Sequence, residues 1–483
     1  MLISTSLRSQ TTYLGIEDIK KEIESEAKNM EANPNLSKSQ NDLLRKKKES
    51  KLKYELSLLD SNYVFSSGLI HDLAQKVFGQ ILISNPSIPQ NTRIVISKSN
   101  QFNAFTMGDN VIFVHLGLLY HLRNEAEIAL VLAHELAHNT LKHVEKSMVL
   151  AVIRETDPDF RRDVKKILKN EYGVVSALNE LVIPRIFESR EQSRKHEFEA
   201  DSLGYVYLKN AGYDPKSALA MFKSMEAQSN KQGELIDLTH CTDIALFPTI
   251  LDKQNEYSQL GSLGAFEVSD TNDLQPYLAT HPYEQDRFKR LATQDKFDLD
   301  LNMYDRKVDS VYYLKFEKIG HEMIQNAISN RNLTDAFFYS CKYILDFPED
   351  PSGYKMMTVI LKSVAFLKDR RVSGKYLKRQ NPDQPEDLDR ITHFLNTLSP
   401  KECNSLAQKS QEKFAMNPTQ TDAEIALIKM FDFLATEKYE YLYAIWLAEQ
   451  DMVRASNYGW ILYELEEYLY VSKKVSKIKP KKK

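Results

Sequence analysis

Two histidines and a glutamate interrupt an apolar stretch of the chain, LVLAHELAHNTLKH at residues 130–143. Side chains at positions i and i+4 of an α-helix share one face, with Cβ atoms about 5–6 Å apart, so His134 and His138 could bind one zinc ion together. Glu135 follows His134 directly, and its carboxylate would lie beside the ion, where a base could take a proton from zinc-bound water. The H-E-x-x-H spacing therefore predicts a hydrolytic zinc site with one ion per chain.

The same stretch could instead be a core helix whose polar side chains satisfy one another. The residues before and within the motif are mostly apolar and include Leu130, Val131, Leu132 and Leu136. Burying two histidines and a glutamate without partners costs free energy, so a buried motif needs partners. A core network explains one histidine more easily than this arrangement, and the metal site is the favoured interpretation.

His143 is not expected to be the third ligand. It lies nine residues after His134, which at 100° per residue is about 180° around a continuous helix, so a packing or supporting role is favoured. A longer zinc motif, H-E-x-x-H-x-x-G-x-x-H, would need glycine and histidine where Leu141 and Val144 stand.

A carboxylate from a second helix is the expected third ligand. Glu155 and Asp159 are one candidate pair, but Pro158 lies between them, and a proline inside a helix costs about 3 kcal/mol. In SRKHEFEADSLGYVYL, Glu197 and Asp201 lie four residues apart with no breaker between them. We therefore expect Glu197 to bind the metal and Asp201 to accept a hydrogen bond from a ligand histidine, fixing its tautomer.

Local patterns predict the elements that would hold these residues. Gly204 lies two turns beyond Glu197 on the same side and would let the second helix approach the first closely. The remaining predicted elements are a helix in SGLIHDLAQKVFGQIL, strands RIVIS (93–97) and NVIFVHL (110–116) around an MGDN turn, a long helix over 174–210, and a helix beginning near the proline of YDPKSALAMFKSME (213–226).

The whole-chain composition is that of a globular protein with more than one domain. The chain has 483 residues, 42% of them hydrophobic and 27% charged, and a net charge of −3, which gives no indication of nucleic-acid binding. Its three cysteines are far apart and form neither a metal knuckle nor a disulfide framework. No apolar run reaches the ~18–20 residues needed to span a bilayer, so we expect a soluble chain without a transmembrane segment.

Three regions are expected. Residues 1–65 form a charged helical arm, interpreted as a solvated helix, and residues 66–300 form the zinc domain, with a surface insertion at 228–278. Residues 301–483 form an all-α region of helical hairpins, including one at 422–450, with a lysine-rich tail. The fold class is therefore α+β and mostly α, with a small antiparallel sheet in the zinc domain.

The chain resembles metallopeptidase family 48, the gluzincins of HtpX and BepA type, over about residues 66–295. NEAEIALVLAHELAH and SRKHEFEADSLG carry the family's H-E-x-x-H and E-x-x-A-D motifs, the second read here at Glu197, Ala200 and Asp201. NAFTMGDNVIFVHLGLL, AGYDPKSALAMF and THPYEQDR are similar to further family segments. The family's Pro-Gly-Gly turn is replaced here by residues 107–109, Met-Gly-Asp.

The resemblance implies a zinc endopeptidase in which Glu135 assists the attack of zinc-bound water on peptide bonds of unfolded or extended polypeptides, in protein quality control. THPYEQDR offers His281 and Arg287 as oxyanion donors, and His281 could instead gate the zinc. Substrate would add as a β-strand beside Asn103 and Ala104. The C-terminal helices would be tetratricopeptide-like and could bind a protein partner. The protein would belong to the soluble branch of the family, located in the bacterial cell envelope after removal of a leader. The cysteines are equally compatible with a cytoplasmic location.

Two other functions remain open at the level of sequence. One is a chaperone-like or scaffold protein whose peptidase activity is latent, which predicts that Glu135→Gln leaves the biological role intact. The other is a zinc hydrolase of another kind, for which no second metal cluster or nucleotide-binding loop gives support.

Overall fold

A computed structural model describes most of the chain. The described residues are 15–28, 31–59, 64–65, 68–167, 174–229, 238, 284–300, 310–381, 386–414 and 422–471. The predicted insertion at 228–278 lies almost entirely outside them, as do His281 and the lysine-rich tail. As predicted, the fold is mostly helical with one small sheet. No helix in the described parts combines the length and apolar character needed to cross a membrane.

The chain forms two compact units. The first consists of the described residues within Met1–Glu226 and Val268–Lys315, and it contains every described site residue predicted from the sequence. The second contains the few described residues within Ala227–Glu267 and those from Phe316 onward.

A four-stranded sheet lies at the centre of the first unit. Its strands are β1 (Val64–Phe65), β2 (Arg93–Ser97), β3 (Ala104–Thr106) and β4 (Val111–His115), in the order β1-β2-β4-β3. β1 pairs antiparallel with β2, and β3 pairs antiparallel with β4, but β2 and β4 are parallel. The expectation of an antiparallel sheet was wrong for this pair. After β2 the chain forms β3 at the edge of the sheet and then turns back, so that β4 lies between β3 and β2 and runs parallel to β2.

Both faces of the sheet are covered. On one face, helix α1 (Ile16–Lys28) packs Ile19 and Ile23 against Val95 and Phe113. Alternate residues along a strand point to opposite faces, so the buried Ile94, Ile96, Ile112 and Val114 point to the other side. Burial on both faces explains why the predicted strands are continuous apolar runs rather than alternating ones.

The N-terminal arm is helical, as predicted, but it is not fully solvated, because α1 and the next helix each bury one side. Helix α2 (Lys38–Leu58) begins with a capping box between Ser37 and Gln40. Its Leu44 is buried with Val152 of helix α6 (His143–Thr156). The arm is mostly charged, but its few apolar residues are enough to bury one side of each helix.

The remaining helices among the described residues of the first unit follow, and the first three of them contact strands of the sheet. They are α3 (Leu69–Ser84), α4 (Leu116–His121), α5 (Glu125–Thr140), α7 (Pro158–Ile167), α8 (Val174–Asn210), α9 (Pro215–Leu219), α10 (Met221–Ser229) and α11 (Glu284–Gln294). Asn85, just after α3, donates from its side-chain amide to the carbonyl of Tyr207 in α8 at 3.1 Å and accepts a hydrogen bond from Asn210. These bonds fix α3 against the helix that carries the predicted carboxylate ligand.

The second unit is a series of helices with its own buried side chains. It begins within α12 (Ser310–Ser329), at Phe316, and continues with α13 (Leu333–Asp346), α14 (Pro351–Asp369), α15 (Glu386–Thr397), α16 (Pro400–Gln411), α17 (Ala423–Ala435), α18 (Tyr439–Ala455) and α19 (Gly459–Val471). A Cβ on Gly353 would lie 2.8 Å from Ile344, so α13 and α14 pack very closely. The hairpin predicted at 422–450 is present as α17 and α18, whereas the tetratricopeptide-like character of the region stays a prediction.

Candidate metal centre

Helix α5 carries the H-E-x-x-H motif and begins with a strong cap. The Asn124 side chain accepts a hydrogen bond from the Glu127 N–H at 2.9 Å, and the Glu127 carboxylate accepts one from the Arg123 N–H at 2.7 Å. Such reciprocal capping satisfies donors that the first turn of a helix leaves open. Beyond the cap, α5 is apolar on nearly every side, and Ala129, Leu132, Ala133 and Leu136 are completely buried. The motif is thus held on a rigid central helix.

Helix α8 crosses α5 at Gly204. A Cβ at this position would lie 2.8 Å from the His134 backbone nitrogen and 2.9 Å from the Ala133 carbonyl carbon, closer than side chains normally pack. Only glycine allows this approach, which confirms the packing predicted for Gly204. The crossing brings the acidic face of α8 directly over the histidines of α5.

Three side chains converge at the crossing. His134 Nε2 and His138 Nε2 lie 3.0 Å apart. Glu197 Oε2 lies 3.5 Å from His134 Nε2, and its Oε1 lies 3.4 Å from His138 Nε2. Among the described residues these three form a group that could hold one metal ion. The predicted pairing of α5 histidines with an α8 carboxylate is therefore present in the geometry.

Asp201 supports the outer side of His134. Its Oδ1 lies 2.9 Å from His134 Nδ1, and both carboxylate oxygens also accept hydrogen bonds from the Arg287 guanidinium, at 2.6 and 2.8 Å. Both side chains of this ion pair are buried. Burial alone would raise the pKa of Asp201, but Arg287 and His134 hold it well below its usual range. An ionised Asp201 can only accept, so His134 carries its proton on Nδ1 and directs the Nε2 lone pair inward.

His143 supports the outer side of His138. Its Nδ1 lies 2.9 Å from His138 Nδ1, and its Nε2 lies 3.1 Å from a carboxylate oxygen of Glu199. The helix is interrupted between α5 and α6 at Lys142, whose backbone has a left-handed conformation with φ 55°. The argument that His143 lies opposite His134 assumed a continuous helix, which the structure does not have, but the packing or supporting role favoured for His143 agrees with its contact to His138. His143 is nevertheless not one of the three grouped residues, as expected.

The positions of the protons on His143 and His138 determine which ring nitrogens can accept a hydrogen bond or bind a metal ion. Burial and the neighbouring His138 and His196 lower the pKa of His143 to about 4, so this ring is neutral at pH 7. With Glu199 accepting from its Nε2–H, His143 can only accept at Nδ1, so His138 donates there and directs its own Nε2 lone pair inward. The two Nε2 atoms then face each other at 3.0 Å beside a carboxylate, where they can share either a proton or a metal ion.

Such a group requires a positive charge. Without a metal a proton supplies it: burial opposes a charge on His134, but hydrogen bonds to Asp201 and Glu197 outweigh burial and raise the pKa of His134 to about 10. A metal ion bound between the rings would replace that proton on Nε2. Two imidazole nitrogens and one carboxylate are also a donor set that zinc prefers. The residues present therefore fit a zinc ion.

Glu135 lies next to this group on α5 and is buried, with 8% of its surface exposed. Burial raises its pKa, and the nearby His134 and His138 partly offset that rise. A buried carboxylate with a raised pKa takes up a proton more readily than an exposed one, which suits a general base.

The sequence also predicted roles for Arg287, His281 and the residues around β3. Arg287 reaches the centre, but its guanidinium is bonded to Asp201 and lies 3.8 Å from Glu197, behind the ligands. His281 lies outside the described residues, so its predicted role stays a prediction. Asn103 directly precedes β3 and Ala104 is its first residue, and β3 is an edge of the sheet.

Two contacts near the centre had no signal in the sequence. Lys51 of α2 donates to the carbonyl of Met107 at 2.8 Å and pairs with Asp109 in the turn between β3 and β4. The hydroxyl of Thr106 in β3 bonds to the side chain of Asn139, the residue after His138. Neither pair could be found from spacing, because the partners come from separate elements.

Comparison with known proteins relates this centre to a family. Residues 69–295 match the profile of peptidase family M48. The matched segment covers slightly less than half of the 483-residue chain. It contains His134, Glu135, His138, Glu197, Asp201 and Arg287, and its range agrees with the resemblance noted from the motifs.

Individual relatives are peptidases from bacteria and mitochondria. The chain is 29% identical to the mitochondrial metalloendopeptidase OMA1 of Arabidopsis thaliana over 206 residues, 42% of this chain and 31% of the relative. It is 23% identical to a putative beta-barrel assembly-enhancing protease of Vibrio cholerae over 171 residues, 35% of each chain. It is 26% identical to the metalloprotease LoiP of Escherichia coli over 153 residues, 31% of this chain and 57% of LoiP. The matches thus cover less than two thirds of each of these relatives.

Proposed function

We propose that this chain is a zinc-dependent endopeptidase that cleaves extended or unfolded polypeptides. The proposal depends mainly on one observation, the two inward-facing imidazole nitrogens 3.0 Å apart with the Glu197 carboxylate beside them. The match to the M48 family profile supports the same reading.

His134, His138 and Glu197 would hold the zinc ion. Three protein ligands are typical of catalytic zinc sites, whereas structural sites use four. Zinc bound there would supply Lewis acidity, polarising the scissile carbonyl and lowering the pKa of water towards ~7. Asp201 and Arg287 would keep His134 in the tautomer that the site needs.

Glu135 would move the proton during hydrolysis. It would take a proton from the attacking water and deliver it to the departing amine nitrogen. Its place one residue after His134 puts the carboxylate on the same rigid helix as the ligands, so its position would not depend on a mobile loop.

Substrate would lie along β3. In an antiparallel pair, residues alternate between bonding to the partner strand and pointing away from it. The His115 N–H donates to the carbonyl of Asn103, so the backbone groups of Ala104 and Thr106 point away from β4, towards the sheet edge. Within the described residues no strand pairs with that edge, and an extended peptide could add there through main-chain hydrogen bonds.

The test is degradation of unfolded casein by the wild-type protein and by Glu135→Gln. General acid–base catalysis contributes about 10²–10⁴-fold, so we expect Glu135→Gln to lose activity by that factor while still binding zinc. Chelation of the metal should abolish wild-type activity, and added zinc should restore it.

A matched control is Glu125→Gln, the same chemical change on the same helix. Glu125 pairs with Lys76 at the surface and should leave activity unchanged. Cleavage that persists in Glu135→Gln would exclude the proposed mechanism. A biological role that persists in that variant would instead favour the chaperone-like or scaffold alternative.

The role in protein quality control, the partner of the C-terminal helices and the bacterial cell envelope location stay predictions. The names of the relatives include both an assembly-enhancing protease of a bacterium and a mitochondrial endopeptidase. Fractionation of the source cells would test the predicted location directly.

A further inference from the structure

The two ligand histidines are supported on their outer sides by different groups. His134 bonds directly to a carboxylate, Asp201, whereas His138 bonds to another histidine, His143, which in turn bonds to Glu199. Both acidic residues belong to α8, as does the ligand Glu197. One helix therefore provides a metal ligand and a final acceptor for each ligand ring.

His143 is held firmly enough to act as such a support. Only 3% of its surface is exposed. Its ring stacks on that of His196, with centroids 4.1 Å apart and planes 8° from parallel, and His196 lies 2.7 Å from the Gln192 side chain. The backbone turn at Lys142 places the ring where His138 can reach it. Rotation of His143 would break the stack and both hydrogen bonds at once.

We propose that His143 and Glu199 are positioning residues that hold the His138 ring in the tautomer and orientation needed to bind the metal. The proposal rests on the proposed zinc function of the same centre. Glu199 fixes the proton on His143 Nε2, His143 accepts the His138 Nδ1 proton, and His138 is left with its Nε2 lone pair towards Glu197. Groups that support metal-bound histidines in this way typically contribute about 10–100-fold to metal affinity.

The test measures zinc affinity by competition with a chelator. In His143→Phe the ring shape and the stack are kept but both nitrogens are lost, and we expect zinc affinity to fall about 10–100-fold. In His143→Asn the amide oxygen occupies nearly the place of Nδ1 and can still accept from His138, so most of the affinity should return. Glu199→Leu, a change at a partly exposed position, should weaken zinc binding by a smaller factor.

A second readout reports the ligand geometry itself. The visible absorption spectrum of the cobalt-substituted protein should change in His143→Phe and return towards the wild type in His143→Asn. A purely structural role would shift thermal stability without this pattern of rescue. Glu191→Gln, an exposed change on the same helix, is the control that should leave both readouts unchanged.

The outcomes separate this proposal from the proposed function. Wild-type zinc affinity and an unchanged cobalt spectrum in His143→Phe would overturn the positioning role, even if the enzyme cleaves casein as proposed. A wild-type protein that binds no zinc would overturn the proposed function itself. If His143→Phe does not fold, Glu199→Leu decides, because wild-type affinity in that variant contradicts the proposal.

Discussion

At the scale of single residues, the centre is defined by where its protons must lie. Two series of hydrogen bonds end at carboxylates, one at Asp201 and the other at Glu199. Each series holds one histidine, His134 or His138, with its Nε2 towards Glu197. The i,i+4 spacings predicted His134, His138, Glu197 and Asp201 correctly as neighbours. A packing or supporting role was favoured for His143, but its bond to His138 could not be predicted, because it depends on a left-handed Lys142, and lysine gives no signal for that conformation.

Asp201 should have separable effects on stability and on metal binding. In Asp201→Asn, the buried Arg287 loses its ionised partner, and we expect the free energy of unfolding to fall by about 3–5 kcal/mol. Zinc affinity should also fall about 10–100-fold, because an amide can present its NH₂ group to His134 and disturb the tautomer. Denaturant unfolding of the metal-free protein and chelator competition measure the two effects.

The double variant Asp201→Asn with Arg287→Leu separates them. Removing both charges should restore part of the stability, since no uncompensated charge remains, while zinc affinity stays low. Recovery of zinc affinity together with stability would contradict the role assigned to Asp201.

At the scale of elements, the crossing of α5 and α8 brings His134, His138 and Glu197 together. Gly204→Val would place side-chain carbons against the backbone of Ala133 and His134, and we expect a loss of about 1–3 kcal/mol in unfolding free energy. Zinc affinity should fall as well, because Glu197 would be moved away from the histidines. Thermal unfolding and chelator competition measure both changes.

Gly79 in α3 provides a control position, because its surroundings leave room for a side chain. A Cβ there meets no atom within 4 Å, so Gly79→Ala should stabilise the protein by roughly 0.5–1 kcal/mol, as expected for alanine replacing glycine inside a helix. Equal behaviour of the two variants would mean that the close approach at Gly204 has no energetic role.

The N-terminal arm also acts at this scale, through Lys51. Its bonds to Met107 and Asp109 fix the turn next to β3, and we expect Lys51→Met to increase amide hydrogen exchange at Ala104 and Thr106. If substrate adds to β3, KM for casein should rise with little change in kcat. Lys53→Met, an exposed change on the same helix, should alter neither, and unchanged exchange in Lys51→Met would contradict the role of the arm.

The strands and most helices of this unit could be predicted because their apolar runs and caps are local. RIVIS and NVIFVHL correspond closely to β2 and β4, and Pro215 begins α9 as expected. The parallel pairing of β2 with β4 and the burial of Ile19 and Ile23 could not be predicted, because they depend on partners distant in sequence.

At the scale of the whole molecule, each of the two units has a core of its own. Fully buried residues of the second unit include Phe337, Met356, Phe394 and Leu427. We therefore expect a fragment of residues 310–483 to be helical and to unfold cooperatively, as followed by circular dichroism. A gradual, non-cooperative transition would mean that these helices need the first unit to fold.

The edge strand β3 has only three residues, Ala104–Thr106, and the next turn is fixed by the arm. So short an edge offers few main-chain bonds and little surface for selecting particular side chains. If it receives substrate as proposed, the choice of target would depend less on sequence than on how often a segment of the target detaches from its own fold. Such a peptidase would discriminate by local thermodynamic stability, destroying loosened proteins while sparing tightly folded ones of similar composition.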